Sequence, residues 1–249
     1  MALNKEAYLV PVNELVEKTN LKHVAIIMDG NRRWAKKHKL PTTSGHSAGV
    51  KAFKNIVELS SKWDVKYLTV YAFSTENWKR KKEEVDYLML LLGETIKKEL
   101  KTLHKNNVKL TIIGNIEALN PKLKKILLNS IETTKDNTGL CLQVGINYGS
   151  RDEITTAVKN IAKDIKANKI NPDNINPELI SNYLYTSGIP DPDLLIRTAG
   201  EYRLSNYLLW QSAYTEIHVT KAFWPDFSQS EYERAIVDFA GRVRRFGRD

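Results

Sequence analysis

The chain has 249 residues, 42% of them hydrophobic and 27% charged, with 12 Gly and 8 Pro, a composition that excludes disordered, collagen-like and low-complexity classes and suits one large globular domain. Its single cysteine, Cys141, excludes an internal disulfide and a cysteine-built metal site, and its longest apolar runs, at 24–28 and 88–92, fall far short of the ~18 residues that cross a bilayer. Lys+Arg 38 against Asp+Glu 29 leaves +9, which suits an anionic partner (a diphosphate, a nucleic acid or an acidic lipid surface) as well as a plain solvated lysine-rich surface. The first residues lack the basic-apolar-small progression of a secretory signal, so the expectation is a soluble protein in a reducing, cytoplasmic setting.

Taken in chain order, residues 1–20 read as an N-terminal extension, and the first strand candidate is HVAIIM at 23–28. Val50, Phe53, Ile56, Val57 and Ser60 then recur at helical spacing, followed by a strand at 65–73. Val85, Leu88, Met89, Leu92, Ile96, Leu100 and Leu103 predict a helix longer than covering a sheet requires, and hence a candidate wall for an apolar site. Strands follow at 108–114 and 140–146. Asn107 and Asn147 read as element ends, Asn120-Pro121 and Asn176-Pro177 put proline at helix starts, and Asn137-Thr138-Gly139 turns into a strand. Ile154, Val158, Ile161 and Ile165 mark another helix, strands at 193–197 and 215–219 complete six, and RVRRFGRD forms a basic tail at 242–249. Apolar runs rich in β-branched residues alternating with helical segments predict an α/β protein: one domain over 1–249 with a mainly parallel six-stranded sheet flanked by helices. Neither a linker nor a 20–50-residue repeat divides it.

The chain lacks a G-x-x-x-x-G-K-[ST] phosphate loop, a G-x-G-x-x-G turn, H-E-x-x-H, paired C-x-x-C and a D-D-x-x-D carboxylate cluster. Its polar clusters sit instead where strands end, which is where open α/β sheets bind ligands. After the first strand, Asp29 offers a carboxylate for a hard cation, Gly30 lets backbone N–H groups approach a phosphate, and Asn31, Arg32 and Arg33 supply donors. The plainer reading is a capped turn with surface arginines. His46 falls near the start of the next helix, where an anion is favoured. The second strand ends in Ser74, Glu76, Asn77, Trp78 and Arg80; a third cluster brings Arg197, Arg203 and Ser205, with Glu216 as a second carboxylate. Two distant acids among at least four arginines suit two diphosphates bridged by a metal, against the alternative of scattered surface ion pairs.

HVAIIMDGNRRWA, GHSAG, YAFSTENW, NYGSRDEI, DLLIRTAGEYRLSNYLLWQSAYTE and WPDF together resemble the cis-prenyltransferases, the family of undecaprenyl diphosphate synthase, from about residue 23 to 247. The resemblance implies a fold with an apolar tunnel and a Mg²⁺-dependent enzyme that condenses isopentenyl diphosphate onto an allylic diphosphate, usually farnesyl diphosphate. Its product would be a long-chain polyprenyl diphosphate such as undecaprenyl diphosphate, a cell-wall carrier lipid. It also implies a homodimer, which in the cytoplasmic setting expected above would make transient contact with the membrane surface to release product; no nucleic-acid partner is expected. By position, the resemblance makes Asp29 the catalytic, metal-binding aspartate, with Gly30, Asn31, Arg33 and Trp34 around the allylic diphosphate and His46 touching it. Ser74, Thr75 and Glu76 match a substrate-binding stretch followed by Trp78 and Arg80, with Asn77 as proton acceptor. Arg197, Arg203, Leu204 and Ser205 match the isopentenyl diphosphate site, Glu216 the second metal ligand, and Leu140 a bulky residue near the tunnel floor. Arg245 and Gly247 match an R-x-G element that reaches the partner's active site.

The chain departs from the family pattern at Thr42, where most members have Arg, at Arg32 for Gly, at Lys81 for Pro and at Ser150 for Gly. Thr42 and Arg32 both bear on allylic binding, and Arg32 is the natural stand-in for the missing cation. The alternatives are a short-chain synthase and a non-catalytic accessory subunit, the latter weakened because such subunits tend to lose the aspartate that Asp29 retains. A nucleic-acid-binding protein would need a groove-reading motif that the chain lacks.

Overall fold

The computed structural model describes residues 10–244; Arg245 and Gly247 lie outside the described residues. Six strands form one sheet: β1 (His23–Ile27), β2 (Tyr67–Ser74), β3 (Lys109–Ile113), β4 (Cys141–Tyr148), β5 (Leu194–Arg197) and β6 (Glu216–Val219). Every pairing is parallel, in the order β3-β4-β2-β1-β5-β6. The helices are α1 (Val12–Lys18), α2 (Asn31–Lys37), α3 (Thr42–Lys62), α4 (Lys82–Lys105), α5 (Pro121–Thr134), α6 (Ser150–Lys166), α7 (Pro177–Tyr183) and α8 (Gln229–Ala240). The α/β architecture and the six strands agree with the expectation, and the sheet is parallel throughout.

The inner strands β1 and β5 read as largely unbroken apolar runs because both faces are covered, whereas the edge strand β6, EIHV, buries none of its residues fully. In β1, Val24 and Ile26 enter the larger core with Ile56, Leu68, Val144 and Trp224, while Ala25 and Ile27 join a smaller one with Tyr148, Tyr207 and Leu208. Strand alternation thus distributes a single pentapeptide between two layers. From β1 the chain builds outward through β2 to β4 and β3, then returns to place β5 on the other side of β1. The strand order therefore reverses between β1 and β5, and a crevice opens there at the strands' C-terminal ends.

Asparagine punctuation behaves as expected at the helix starts: Asn120 and Asn176 each accept the N–H three residues on, at 2.9 Å, ahead of Pro121 and Pro177. Asn147, expected to end an element, instead lies inside β4 with a left-handed φ of 49°. Its side chain is held from two sides, donating to the Asn115 carbonyl at 2.8 Å and accepting Trp78 Nε1 at 2.7 Å. Helix α8 was not anticipated, although Tyr232, Ala235, Ile236 and Phe239 carry its buried face at helical spacing. Within the 1–20 segment, α1 buries Leu15 and Val16 and packs against α8.

Beneath the sheet's core, His23 is 1% exposed; its Nδ1 donates to the Pro190 carbonyl at 2.6 Å and its Nε2 meets the Thr69 hydroxyl at 2.7 Å. Burial lowers its pKa from 6.5 to about 4. The unfolded chain therefore binds this proton first as pH falls, so the contribution is intact above pH ~6.5 and is lost progressively toward pH ~4. By pH 5 the expected loss from this group is about 2 kcal/mol. Urea unfolding at pH 7.5 and 5 should show it, and flat stability across that interval would contradict the assignment.

Candidate active site

Asp29 directly follows β1 and Arg197 ends β5, and the register Ile27↔Arg197 sets them side by side at the crevice. Arg197 is 3% exposed and works as a fork. Its Nη2 donates to Asp29 Oδ2 at 2.9 Å, while Nη1 donates to Ser205 Oγ at 2.8 Å and to the Arg203 carbonyl. Arg33 approaches from α2 with Nη2 3.3 Å from Asp29 Oδ1, and also holds Glu201 at 2.7 Å. Burial alone would push the Asp29 carboxyl up; the Arg197 guanidinium, followed by Arg33, outweighs it and holds the pKa below the usual carboxylate value. Asp29 is thus an ionised carboxylate facing a cleft.

Gly30 turns the chain from β1 into α2 with φ 107°, and an added Cβ there would lie 2.8 Å from Phe223 Cδ1 and 3.0 Å from Ala199 Cβ. Both the left-handed backbone and the close approach require glycine. The turn lets Asn31, Arg32, Arg33 and Lys36 line the cleft from one helix. Opposite, α3 begins at Thr42 without a side-chain cap or an acid in its first turn, leaving its positive N-terminal end near Thr42 and His46. His46 is buried, with Nε2 3.4 Å from Glu84 Oε1, and Glu84 also accepts Arg80 Nη1 at 3.0 Å. Burial lowers the His46 pKa against the opposing pull of Glu84, with Arg80 and Arg32 adding to the fall, so the imidazole is neutral at pH 7.

At the end of β2, Ser74 opens a 3₁₀ turn, Thr75–Lys79, in which Asn77 Oδ1 accepts the Ser74 N–H at 3.2 Å. Glu76 leans into the cleft and accepts Asn206 Nδ2 at 2.9 Å.

The cleft measures about 1160 Å³, and the structure brings together in it Asp29, Gly30, Asn31, Arg32, Arg33, Thr42, His46, Ser74, Glu76, Asn77, Arg80, Arg197, Arg203 and Ser205. Six cationic side chains face three carboxylates there, Asp29, Glu76 and Glu201, which makes the cleft a receptor for anions. Trp34, Thr75, Trp78 and Leu204 stand behind its walls. Trp34 Nε1 donates to Asp226 at 2.7 Å, Trp78 packs edge-on against Phe73 and donates to Asn147, and Leu204 packs on the smaller core. Glu216 is not brought to Asp29 within one chain. It opens β6, level with Leu194, and so lies at the opposite edge of a parallel sheet, paired with Arg242 at 2.8 Å. Lys36, Tyr71, Glu201 and Asn206 line the cleft unannounced. Lys36 was within reach of pattern reasoning, three and four residues after Arg33 and Arg32 on one helical face; the others are gathered by the fold.

A second cavity, about 370 Å³, runs from the cleft between α3 and α4 over the sheet. Val50, Phe53, Val57, Leu88, Leu92, Ile96 and Leu103 wall it above Val70, Leu110, Leu142 and Val144. Leu140 extends the Leu142/Val144 alternation by one step beyond the cavity and is itself buried in the core. Met28, Asn31, His46, Ala72 and Leu88 belong to both spaces, so a polar cationic cleft opens directly into an apolar channel.

The family model described as "Putative undecaprenyl diphosphate synthase" matches residues 27–247. An isoprenyl transferase of Clostridium perfringens is 52% identical over 233 residues, 94% of this chain and 92% of that protein, and one of Heliobacterium mobile is 54% identical over 226 residues, 91% and 87%. Among solved structures, lavandulyl diphosphate synthase of Lavandula x intermedia, in complex with dimethylallyl diphosphate, superposes with a TM-score of 0.89 at 34% identity, covering 92% of this chain and 99% of that one. A probable undecaprenyl diphosphate synthase of Campylobacter jejuni gives 0.76 at 36% identity with the same coverage. With a family match across nearly the whole chain, half its residues shared with isoprenyl transferases, and the sheet, cleft and channel in place, the chain belongs to the undecaprenyl diphosphate synthase family of cis-prenyltransferases.

Proposed function

We propose that this isoprenyl transferase condenses isopentenyl diphosphate with an allylic diphosphate, farnesyl diphosphate first among them, and repeats the addition to build a long-chain cis-polyprenyl diphosphate such as undecaprenyl diphosphate. The observation that carries the reading is the continuity of the cationic cleft with the apolar channel through Met28, Asn31, His46, Ala72 and Leu88. A diphosphate and a hydrocarbon tail joined end to end have that same polarity profile.

Departure of the allylic diphosphate leaves a carbocation and a highly charged leaving group, so the site must stabilise the anion and keep water from the cation. Arg32, Arg33, Lys36 and Arg80 supply the donors on the allylic side, while Arg197, Arg203 and Ser205 hold the isopentenyl diphosphate. The channel excludes water and receives the tail. Once the allylic C–O bond has broken and the diphosphate has left, the isopentenyl double bond attacks the allylic cation to form the new carbon–carbon bond, and the resulting cation loses a proton, for which the resemblance gives Asn77 as acceptor. Asp29, ionised and partly exposed, suits Mg²⁺, an ion commonly held by one or two carboxylates with water and substrate phosphates completing the shell. When bound, Mg²⁺ would neutralise charge developing on diphosphate oxygens.

Glu216 reaches such a metal only from a second copy, the route that the resemblance gives to Arg245 and Gly247, so the reading includes a homodimer. Among the described residues no helix is long and apolar enough to cross a membrane, and product release at a membrane surface belongs to the same reading. The short-chain alternative is favoured by the match to lavandulyl diphosphate synthase.

Labelled isopentenyl diphosphate with farnesyl, geranyl or dimethylallyl diphosphate, with and without Mg²⁺, should give Mg²⁺-dependent elongation best primed by farnesyl diphosphate. Release after a single addition would favour the short-chain alternative, and no turnover would refute both. Deleting residues 245–249 should raise KM for isopentenyl diphosphate about tenfold, the worth of one charge-assisted contact. An unchanged KM would remove the tail from the site.

A further inference from the structure

The channel is apolar, yet one wall carries an ion pair. Lys54 of α3 and Glu99 of α4 both line it and bridge the two helices, with side chains 35% and 20% exposed. Nearer the cleft His46 Nε2 lies 3.4 Å from Glu84 Oε1, and the two helices are tied by Ser47 Oγ with the Tyr87 hydroxyl at 2.7 Å. Between these contacts and Lys54–Glu99 the channel is lined chiefly by Val50, Phe53, Leu91, Leu92 and Ile96, with Thr95 among them. Both helices start at the cleft and run away from it, so distance along α4 measures depth in the channel. Glu99 lies eleven residues beyond Leu88 at the mouth, about 16 Å by the helical rise.

We propose that the Lys54–Glu99 pair is a product-length determinant: it ties α3 to α4 at depth and limits how far the seam parts for a growing prenyl chain, given the elongation reading above. An apolar chain end has nothing to offer two charges, and passing between the helices there requires the pair to break and each group to find water alone. The partly dry surroundings strengthen the pair relative to one on an open surface. Sheet strands form the opposite wall and cannot yield without losing ladder hydrogen bonds, so the helix seam is the side that can widen. Lys54 and Glu99 are positioning residues in this role, acting through the helices that carry them.

The test is the chain-length distribution made from farnesyl diphosphate, labelled isopentenyl diphosphate and Mg²⁺ by Glu99→Gln, Lys54→Met, the double variant Lys54→Met/Glu99→Leu, and the charge swap Lys54→Glu/Glu99→Lys. The first three should shift the main product longer by at least one isoprene unit, and the swap should restore the native length. Circular dichroism melts identify any variant that fails to fold. Lys54→Arg, which keeps the pair, is the second measurement and should retain native length. Native lengths in the pair-breaking variants, longer product from Lys54→Arg, or a swap that fails to restore the native length would overturn the proposal. Absence of any elongation by the native enzyme would instead refute the functional reading and this role with it.

Discussion

Asp29→Asn should reduce turnover on the order of a thousandfold, about 4 kcal/mol of transition-state stabilisation, while leaving the fold in place. The substitution keeps size and removes the charge that two guanidiniums now face, at Oδ2 2.9 Å from Arg197 and Oδ1 3.3 Å from Arg33. Asp29 lies just past a strand end, so no core cavity opens, but the buried Arg197 loses the carboxylate that faces it and the melting temperature should fall by about 5–10 °C. Single-turnover assays with saturating substrates isolate the effect on chemistry, and a Mg²⁺ titration of the residual activity should require more metal than the native enzyme. Near-native turnover at limiting Mg²⁺ would rule out Asp29 as the metal-binding carboxylate.

Arg197→Met should harm both stability and catalysis. Removing one member of a buried ion pair costs about 3–5 kcal/mol because the remaining charge stays desolvated. Here Asp29 keeps Arg33 and partial solvent access, so the cost should fall at or below the low end of that range, with Ser205 Oγ and the Arg203 carbonyl losing their donor together. Arg197→Lys separates the two consequences, since it keeps the charge and loses the planar fork that spans Asp29 and Ser205. Because Arg197 is the chief influence lowering the Asp29 pKa against burial, its removal raises that pKa, and the acidic limb of kcat/KM should move to higher pH. A pH profile of Arg197→Met that superposes on the native one would show that Asp29 does not govern that limb, and Arg197→Lys, which keeps the charge, should shift it less.

How much of this could be read from the residues varies by element. The six strands were legible because short runs rich in apolar and β-branched residues contrast with the helical spacing between them, although only the inner strands are covered on both faces. The turn at Asp29-Gly30 was legible because only glycine fits a backbone at φ 107° against Phe223 and Ala199, and such a turn at a strand end draws polar groups to it. Trp34 and Trp78 mark the limit. Each belongs to a motif whose neighbours line the cleft, yet one indole donates to Asp226 and the other to Asn147, so both brace the loops from behind. Position along a motif does not tell which way a side chain points.

The sequence by itself determined the local chemistry: alternating strand and helix segments, a parallel sheet with polar residues at its strand ends, and a carboxylate among arginines. These follow from periodicity and from short-range sterics, which neighbouring residues carry with them. Only the tertiary structure decided which distant groups meet. The register Ile27↔Arg197 brings Arg197 onto Asp29, which lowers the carboxyl's pKa, and parallel strand direction sends Glu216 to the opposite sheet edge. Helices α3 and α4, forty residues apart in the chain at their Ser47–Tyr87 contact, close one apolar channel tied by Lys54 and Glu99. Such pairings depend on crossovers and on the packing of whole layers, and no local pattern encodes their geometry.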